Sequence, residues 1–199
     1  MVTHANHRLS DGARGRLLRG VFGVMVLVAL LSLSAAGWIT IKASVGQWLI
    51  ARAYDRALLQ ATPVSPWPWA DFAVIGRLSV PALGVEQYVL DRDTGEALAF
   101  GPGVSLGAYS QGRLVVSGHR DTHFAFLPRL ARGMGMEWQP VEAAQPTLLR
   151  VASETVVDSR RGLLPSRDID PLTLVTCYPF DAFVPGGPLR YVVSSVPGH

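Results

Sequence analysis

Leu172-Thr173-Leu174-Val175-Thr176-Cys177-Tyr178-Pro179 is a short run of apolar and β-branched residues that ends on the only cysteine in the chain. Such a run, closed by a proline, reads as a strand, so a strand delivers the thiol at its end. A single cysteine excludes an intramolecular disulfide and a metal cluster built on cysteines. It is equally at home as a small buried hydrophobe, so its surroundings must decide. The same grammar recurs on both sides of it. Short apolar runs at 73–80, 85–90, 97–100, 114–117, 148–157 and 190–196 are broken by Gly, Pro and Asp, and each predicts a strand. Asp93-Thr94-Gly95 and Gly101-Pro102-Gly103 read as turns. The spacing predicts a mainly β domain, a compact barrel or sandwich of roughly 130 residues. One helical insert is expected at 122–132, where Phe124, Leu127, Leu130 and Ala131 recur at helical spacing, with Asp121 or Thr122 as its cap.

The other end of the chain has a different composition. Hydrophobic residues make up 49% of the sequence, high enough to call for a membrane segment. Residues 21–41, VFGVMVLVALLSLSAAGWITI, contain no charge. At about 1.5 Å rise per residue this run can cross a hydrocarbon core of roughly 30 Å. Ahead of it, residues 1–20 carry Arg8, Arg14, Arg16 and Arg19 against Asp11, a net +3 that equals the net charge of the whole chain. The basic character therefore belongs to the tail, and nucleic acid is not expected as a partner. The positive-inside tendency keeps such a tail in the cytoplasm and sends the remainder outside. Ser34-Ala35-Ala36 also resembles a signal-peptide cleavage site. Because Gly37-Trp38-Ile39-Thr40-Ile41 continues the apolar run, an uncleaved anchor is the favoured reading. The expected organisation is a cytoplasmic basic tail without structure (1–20), a single-pass anchor (21–41), a helical stalk and Pro/Trp linker (42–70) and a β domain (71–199). In the stalk, Trp48, Ala51, Ala53, Tyr54, Ala57 and Leu58 allow an apolar helix face. The prolines of 62–69 end it, and Trp67 and Trp69 pack against core or linker rather than lie at a bilayer surface.

Three strand ends carry groups with chemistry. Val115-Val116-Ser117-Gly118-His119-Arg120-Asp121-Thr122-His123-Phe124 delivers a histidine beside a glycine that leaves space around the ring. The strand through Thr176 delivers Cys177. Gly187-Pro188-Leu189-Arg190-Tyr191 opens a third strand with an arginine. A thiol must lose its proton to act as a nucleophile, and a nearby imidazole can take it and later protonate a leaving amine. A guanidinium, always charged, suits a developing oxyanion. Thr176 and Tyr178 flank the thiol and are expected to shape a substrate pocket. Leu163, Leu164 and Ile169, in the loop before the cysteine strand, are its candidate wall. His123 lies four residues after His119, a spacing that can place two imidazoles on a metal, but no third ligand is evident and a helix-surface position is favoured. Asp121 either orients His119 or caps the insert.

These stretches resemble a known family. Thr173-Leu174-Val175-Thr176-Cys177 resembles the Thr-Leu-x-Thr-Cys signature of sortases, Gly118-His119-Arg120-Asp121-Thr122 their histidine motif, and Arg190 falls where their arginine does. Gly101-Pro102-Gly103 resembles a segment that sortases carry upstream of the histidine. The Ser117-to-Phe124 version is most similar to the proteobacterial sortases. The resemblance covers about residues 72–196 and implies a closed β-barrel of about eight strands with one short helical insert, preceded by the transmembrane helix. It implies a membrane-anchored cysteine transpeptidase of the bacterial inner membrane, its catalytic domain outside the cytoplasm. That enzyme would cleave a Leu-Pro-x-Thr-Gly-like sorting signal near the C-terminus of a secreted protein or peptide, form a thioacyl enzyme, and pass the acyl group to an amine. Cys177 would be the nucleophile, His119 the acid and base, and Arg190 the oxyanion or substrate clamp. Glu142, Glu154, Asp158, Asp168 and Asp170 form no ligand series for the calcium some sortases bind, so no metal and no cofactor is expected.

Two other readings compete. One is a cysteine peptidase or another acyltransferase using the same residues. Against it, L,D-transpeptidases place Ser-x-Gly-Cys at the thiol, and papain-like enzymes place the cysteine before the histidine. The other is a non-enzymatic, membrane-tethered β-scaffold, in which Cys177 is replaceable and buried away from His119.

Overall fold

The computed structural model describes residues 5–105, 114–161, 171–184 and 186–198. The chain divides into two compact units, residues 1–45 and 46–199. Helix α1 (Ala5–Gln60) begins inside the tail that the sequence reading leaves without structure. In the first unit it contains a stretch, Gly15–Ser34, long and apolar enough to cross a membrane. Its two serines do not break the apolar character. Ser32 and Ser34 donate their hydroxyls to the carbonyls four residues back, Val28 and Leu30, each at 2.8 Å, which satisfies the hydroxyl within the helix.

In the second unit the end of α1 packs as a core element. Ile50, Ala53, Tyr54 and Ala57 are buried against Phe72, Val74 and Leu90, the i, i+3, i+4, i+7 stripe of an amphipathic helix. The small residues at 53 and 57 let the helix approach closely. Trp48, expected on the buried face, is exposed instead, and the Arg52 guanidinium lies over its ring at 4.5 Å. Trp67 packs edge-on to Phe72 and Phe100, as the linker reading expects, whereas Trp69 points to solvent.

The β domain is a closed eight-stranded barrel built from β1 (Val74–Val80), β2 (Val85–Leu90), β3 (Gly103–Val104), β4 (Val115–Ser117), β5 (Gly135–Pro140), β6 (Thr147–Asp158), β7 (Thr173–Cys177) and β8 (Leu189–Pro197). Around the barrel the order is β1-β2-β3-β4-β7-β8-β6-β5. Two neighbouring pairs are parallel, β2 with β3 and β4 with β7. β1 alternates strictly between buried and half-buried residues, the period-2 pattern of a strand with one face inside. Inward residues such as Leu78, Val116, Leu149, Leu174 and Val193 fill the barrel, joined by Phe124, Leu127 and Met136.

Three sequence expectations fail locally. Residues 97–100 do not form a strand. Helix α2 (Gly95–Leu98) stands there, its Ala97 N–H received by the Thr94 hydroxyl at 3.4 Å and Glu96 in its first turn. Asp93-Thr94-Gly95 is thus a helix cap rather than a turn between strands. The insert at 122–132 is a series of turns around a single 3-10 turn, Leu127–Arg129. Its apolar residues Phe124, Leu127 and Leu130 are buried as a helix would have buried them, but Ala131 is exposed. β5, with its glycine and methionine start, and the two-residue β3, read as part of a turn, give no strand signal in the sequence.

Phe72 anchors the contact between α1 and the barrel and is 1% exposed. Phe72→Ala is expected to lower the unfolding free energy by about 3–5 kcal/mol, read as a fall in the denaturant midpoint without a change in slope.

Candidate active site

The site is set by pairings on both sides of β7. β4 runs parallel to it, Val115 opposite Thr173, Val116 opposite Leu174 and Ser117 opposite Val175. The Gly118 N–H extends the ladder to the Val175 carbonyl at 3.1 Å. The buried Thr176 hydroxyl donates to the Gly118 carbonyl at 2.7 Å. His119 follows Gly118, which these two bonds tie to β7, and Cys177 follows Thr176, so the histidine segment leaves the sheet next to the end of the cysteine strand. On the other side, Cys177 is the direct antiparallel partner of Arg190. Neighbouring strands lie about 4.8 Å apart, which sets the backbone separation of Cys177 and Arg190.

Alternation decides the face. Val115, Val175 and Val192 form a small cluster of their own, with Val157 against it. Cys177 follows Val175 by two residues and Arg190 precedes Val192 by two, so both share the face of this cluster. β4 ends at Ser117, and His119 begins the turns that follow, its carbonyl accepting the Phe124 N–H at 3.0 Å. His119 is exposed, and Cys177 and Arg190 are half-buried. A thiol and a guanidinium thus share one face beside the apolar cluster, and an imidazole stands just past the end of the adjacent strand, each within reach of solvent.

Gly118 has a different purpose from the one its sequence suggests. A Cβ there would lie 2.8 Å from the ring of Phe124. The glycine makes room for Phe124 beneath the chain, not for the imidazole beside it. Gly103 is constrained similarly, because a Cβ would strike the Arg92 carbonyl. That contact brings the segment 91–93 over β3, where the Asp93 carboxylate accepts the Ser117 hydroxyl at 3.2 Å.

Two guanidiniums hold the loop between β7 and β8. Arg190 Nη1 donates to the carbonyls of Gly187 (2.6 Å) and Leu189 (2.8 Å). Among the described residues its Nε and Nη2 make no hydrogen bond. Arg120, which the sequence reading passed over, is nearly buried, its side chain 9% exposed. Its Nη1 and Nη2 donate to the carbonyls of Pro179 and Ala182, and its Nε pairs with Asp121 at 3.2 Å. Asp121 is therefore the partner of Arg120, not an orienter of His119 or a helix cap. The only sequence cue to Arg120 was a cation set between His119 and an acid.

Tyr178 lies in an aromatic group with Phe180 and Tyr191 just past the end of β7, and Phe180 and Tyr191 pack against the barrel interior. Burial, then the Glu154 carboxylate that accepts the Tyr191 hydroxyl at 3.0 Å, push this phenol up to about 12. His123 is half-buried rather than on a helix surface. Burial and then electrostatic interaction with His119 lower its pKa, against a hydrogen bond to the Leu98 backbone. Thr176, expected to shape the pocket, has its hydroxyl committed to Gly118. Leu163, Leu164 and Ile169 lie outside the described residues. Among the described residues no three His, Cys, Asp or Glu side chains converge as a metal site would need.

Residues 78–197, more than half of the chain, match the family described as Sortase domain. The chain belongs to the sortase family. Solved structures agree on the fold. Sortase A from Corynebacterium diphtheriae aligns with a TM-score of 0.54 at 18% identity, covering 66% of this chain and 63% of that one. Sortase C from Clostridium perfringens SM101 aligns at 0.52 and 19%, covering 79% and 89%. Sortase C-1 from Actinomyces oris aligns at 0.50 and 22%, covering 63% and 74%. This chain thus spans less than two thirds of the length of the Corynebacterium structure. No curated protein matches it.

Gly118→Ala in this sortase domain is expected to cost about 1–3 kcal/mol by overpacking against Phe124. In a Phe124→Leu background the same change should cost less, and a double-mutant cycle measures the difference. Tyr191 supplies a pH prediction. Its folded pKa lies above the unfolded value of 10.0, so its contribution is fully present below pH 10 and is lost as pH rises through about 12. Phenolate absorbance, compared between the wild type and Tyr191→Phe, should show this late ionisation, and Glu154→Gln should move it to lower pH.

Proposed function

We propose that this protein is a membrane-anchored cysteine transpeptidase in which Cys177 is the nucleophile, His119 the acid and base, and Arg190 the oxyanion donor. The observation that carries the reading is the row of strand ends. Cys177 is cross-strand partner to Arg190 on one face, and Gly118, the residue before His119, is tied to the end of the cysteine strand, with all three side chains reached by solvent. Membership of the sortase family supports the same assignment.

The chemistry follows from the groups. His119 takes the thiol proton as Cys177 Sγ adds to a peptide carbonyl carbon. The carbonyl oxygen gains the electron pair of the π bond and faces the Arg190 guanidinium. A guanidinium has five N–H donors, and Arg190 uses only Nη1 to brace itself on Gly187 and Leu189. Nε and Nη2 are left to meet the oxyanion, and a donor so fixed needs no reorganisation during reaction. The C–N bond then breaks, and the imidazolium returns its proton to the leaving amine. A thioester on Cys177 remains. An incoming amine reverses the sequence, giving a new amide and the free thiol. Water in place of that amine gives a carboxylic acid, the peptidase outcome.

The proposed substrate is a secreted protein or peptide with a Leu-Pro-x-Thr-Gly-like signal near its C-terminus, joined to an amine acceptor. The Ser117-to-Phe124 segment supports a place among the proteobacterial sortases. The apolar stretch Gly15–Ser34, with arginines ahead of it, supports a single-pass anchor that leaves the catalytic domain outside the cytoplasm. The division into tail, anchor, stalk and catalytic domain is proposed on the same ground. In this reading Tyr178, next to Cys177 in the chain, is a substrate contact, as are Thr176 through the strand it braces and Leu163, Leu164 and Ile169.

The test is product analysis of a Leu-Pro-x-Thr-Gly peptide series with and without an added amine, by mass spectrometry. A mass adduct on Cys177 and an amine-dependent ligation product are expected. Cys177→Ala should abolish both. His119→Ala should reduce turnover by about 10²–10⁴, and Arg190→Ala by about 10²–10³. Arg190→Lys should recover little, because an ammonium cannot both brace the loop and face the oxyanion. Cleavage unaffected by Cys177→Ala would sink the reading.

A further inference from the structure

Arg120 adjoins His119 in sequence, yet two of its three hydrogen-bonding nitrogens reach across to the loop that follows Cys177. Its side chain is about nine-tenths buried. A buried guanidinium is costly unless it is paired and fully hydrogen-bonded. Here the Asp121 carboxylate supplies the charge partner and the Pro179 and Ala182 carbonyls occupy the other two arms. These carbonyls lie 59 and 62 residues away in the chain, so the contact closes a long loop rather than a local turn. The far half of the same loop is held by Arg190 through Gly187 and Leu189. The loop is thus pinned by one guanidinium next to His119 and by another at the cross-strand partner of Cys177.

We propose that Arg120 is a positioning residue for the thioacyl chemistry, a clamp that fixes the histidine segment against the loop joining Cys177 to Arg190. This rests on the function proposed above. β4 stops at Ser117 and the ladder to β7 continues only through the Gly118 N–H. Beyond it the backbone of His119 is not held by the sheet. The His119 carbonyl accepts the Phe124 N–H at 3.0 Å, a bond within its own segment, and Arg120 adds, one residue on, a tie to the loop after Cys177 through a planar fork whose arms are set by its geometry. Loss of the tie leaves the barrel standing and lets His119 move relative to the thiol. A misplacement of about 1 Å between reacting groups can cost about 100-fold in rate. The loss falls on turnover, because the groups that drift are the reacting ones.

The experiment uses the full chain in detergent, as wild type, Arg120→Gln and Arg120→Lys, with thermal melts to establish folding. Steady-state kinetics on the Leu-Pro-x-Thr-Gly peptide series give kcat and KM, and iodoacetamide alkylation gives the reactivity of Cys177, the only thiol, without any substrate. Arg120→Gln is expected to lower kcat by roughly ten- to hundredfold with KM little changed, and to slow alkylation. Arg120→Lys should keep the charge opposite Asp121, remain folded and recover only part of the loss, since an ammonium cannot hold two carbonyls and a carboxylate in one plane. Folded variants with unchanged kcat and alkylation rate would overturn the proposal. So would a loss confined to KM, which would make Arg120 a substrate contact, or unfolding of both variants, which would make it a plain stability residue. If the wild type cleaves no peptide, the proposed function fails while the alkylation comparison still decides the role of Arg120.

Discussion

Parallel pairing of β4 with β7 is the constraint on which the site depends. A parallel pair cannot be made by a hairpin and needs a long crossover, and here the chain completes β5 and β6 between the two strands. The pairing therefore joins segments 58 residues apart, and it brings Gly118, the residue before His119, to the end of the cysteine strand. A slip of one residue would turn the whole strand over, carrying Cys177 into the barrel. The register is protected by what each face contains. Leu172, Leu174 and Val116 belong to the interior, while Val115 and Val175 belong to the outer cluster. Neither set can exchange places without exposing buried methyls.

Side-chain hydroxyls add a second lock at both ends of the same strand. At its end, Thr176 bonds the Gly118 carbonyl. At its beginning, the buried Ser195 hydroxyl accepts from the Leu172 N–H at 3.1 Å and donates to the Leu172 carbonyl at 2.7 Å. Buried polar groups are tolerated only when satisfied, and here the hydroxyls are satisfied by backbone groups, the Leu172 carbonyl accepting the Ser195 N–H at 3.0 Å as well. The strand that presents the thiol is thereby fixed in length as well as in register.

Much of this was readable from the residues. Leu174 and Val175, followed by a thiol and a proline, signal a strand end, and the long apolar run of β6 is hard to mistake. What failed failed for identifiable reasons. Ala97 through Phe100 is apolar enough for a strand, but Thr94 and Glu96 cap a helical turn there, and the apolar residues serve that turn by packing under α1. Gly103-Val104 is too short to show any alternation. Phe124, Leu127 and Leu130 carry helical spacing, yet Pro128 within the segment leaves one 3-10 turn, because proline removes a donor. Their burial was predictable because spacing reports which side chains face inward, even where the backbone is irregular. Partners distant in sequence were not readable at all. Nothing near Arg120 indicates Pro179 or Ala182, and nothing near Gly118 indicates that Phe124 lies beneath it.

The division of polar groups between rim and interior follows from the same physics. Groups that brace the backbone, Thr176 and Ser195, are buried, where a hydrogen bond is strong and a broken one is costly. Groups that would exchange protons with substrates, His119 and Cys177, stand where solvent reaches them. In the proposed mechanism Arg190 belongs to both classes, its Nη1 committed to the loop and its Nε and Nη2 without a hydrogen bond among the described residues. A lysine would have to choose between these tasks, since its ammonium is a single point charge on a flexible stem. Arginine at the opening of β8 is therefore explained by geometry as well as charge, because one planar group can be anchored and presented at once.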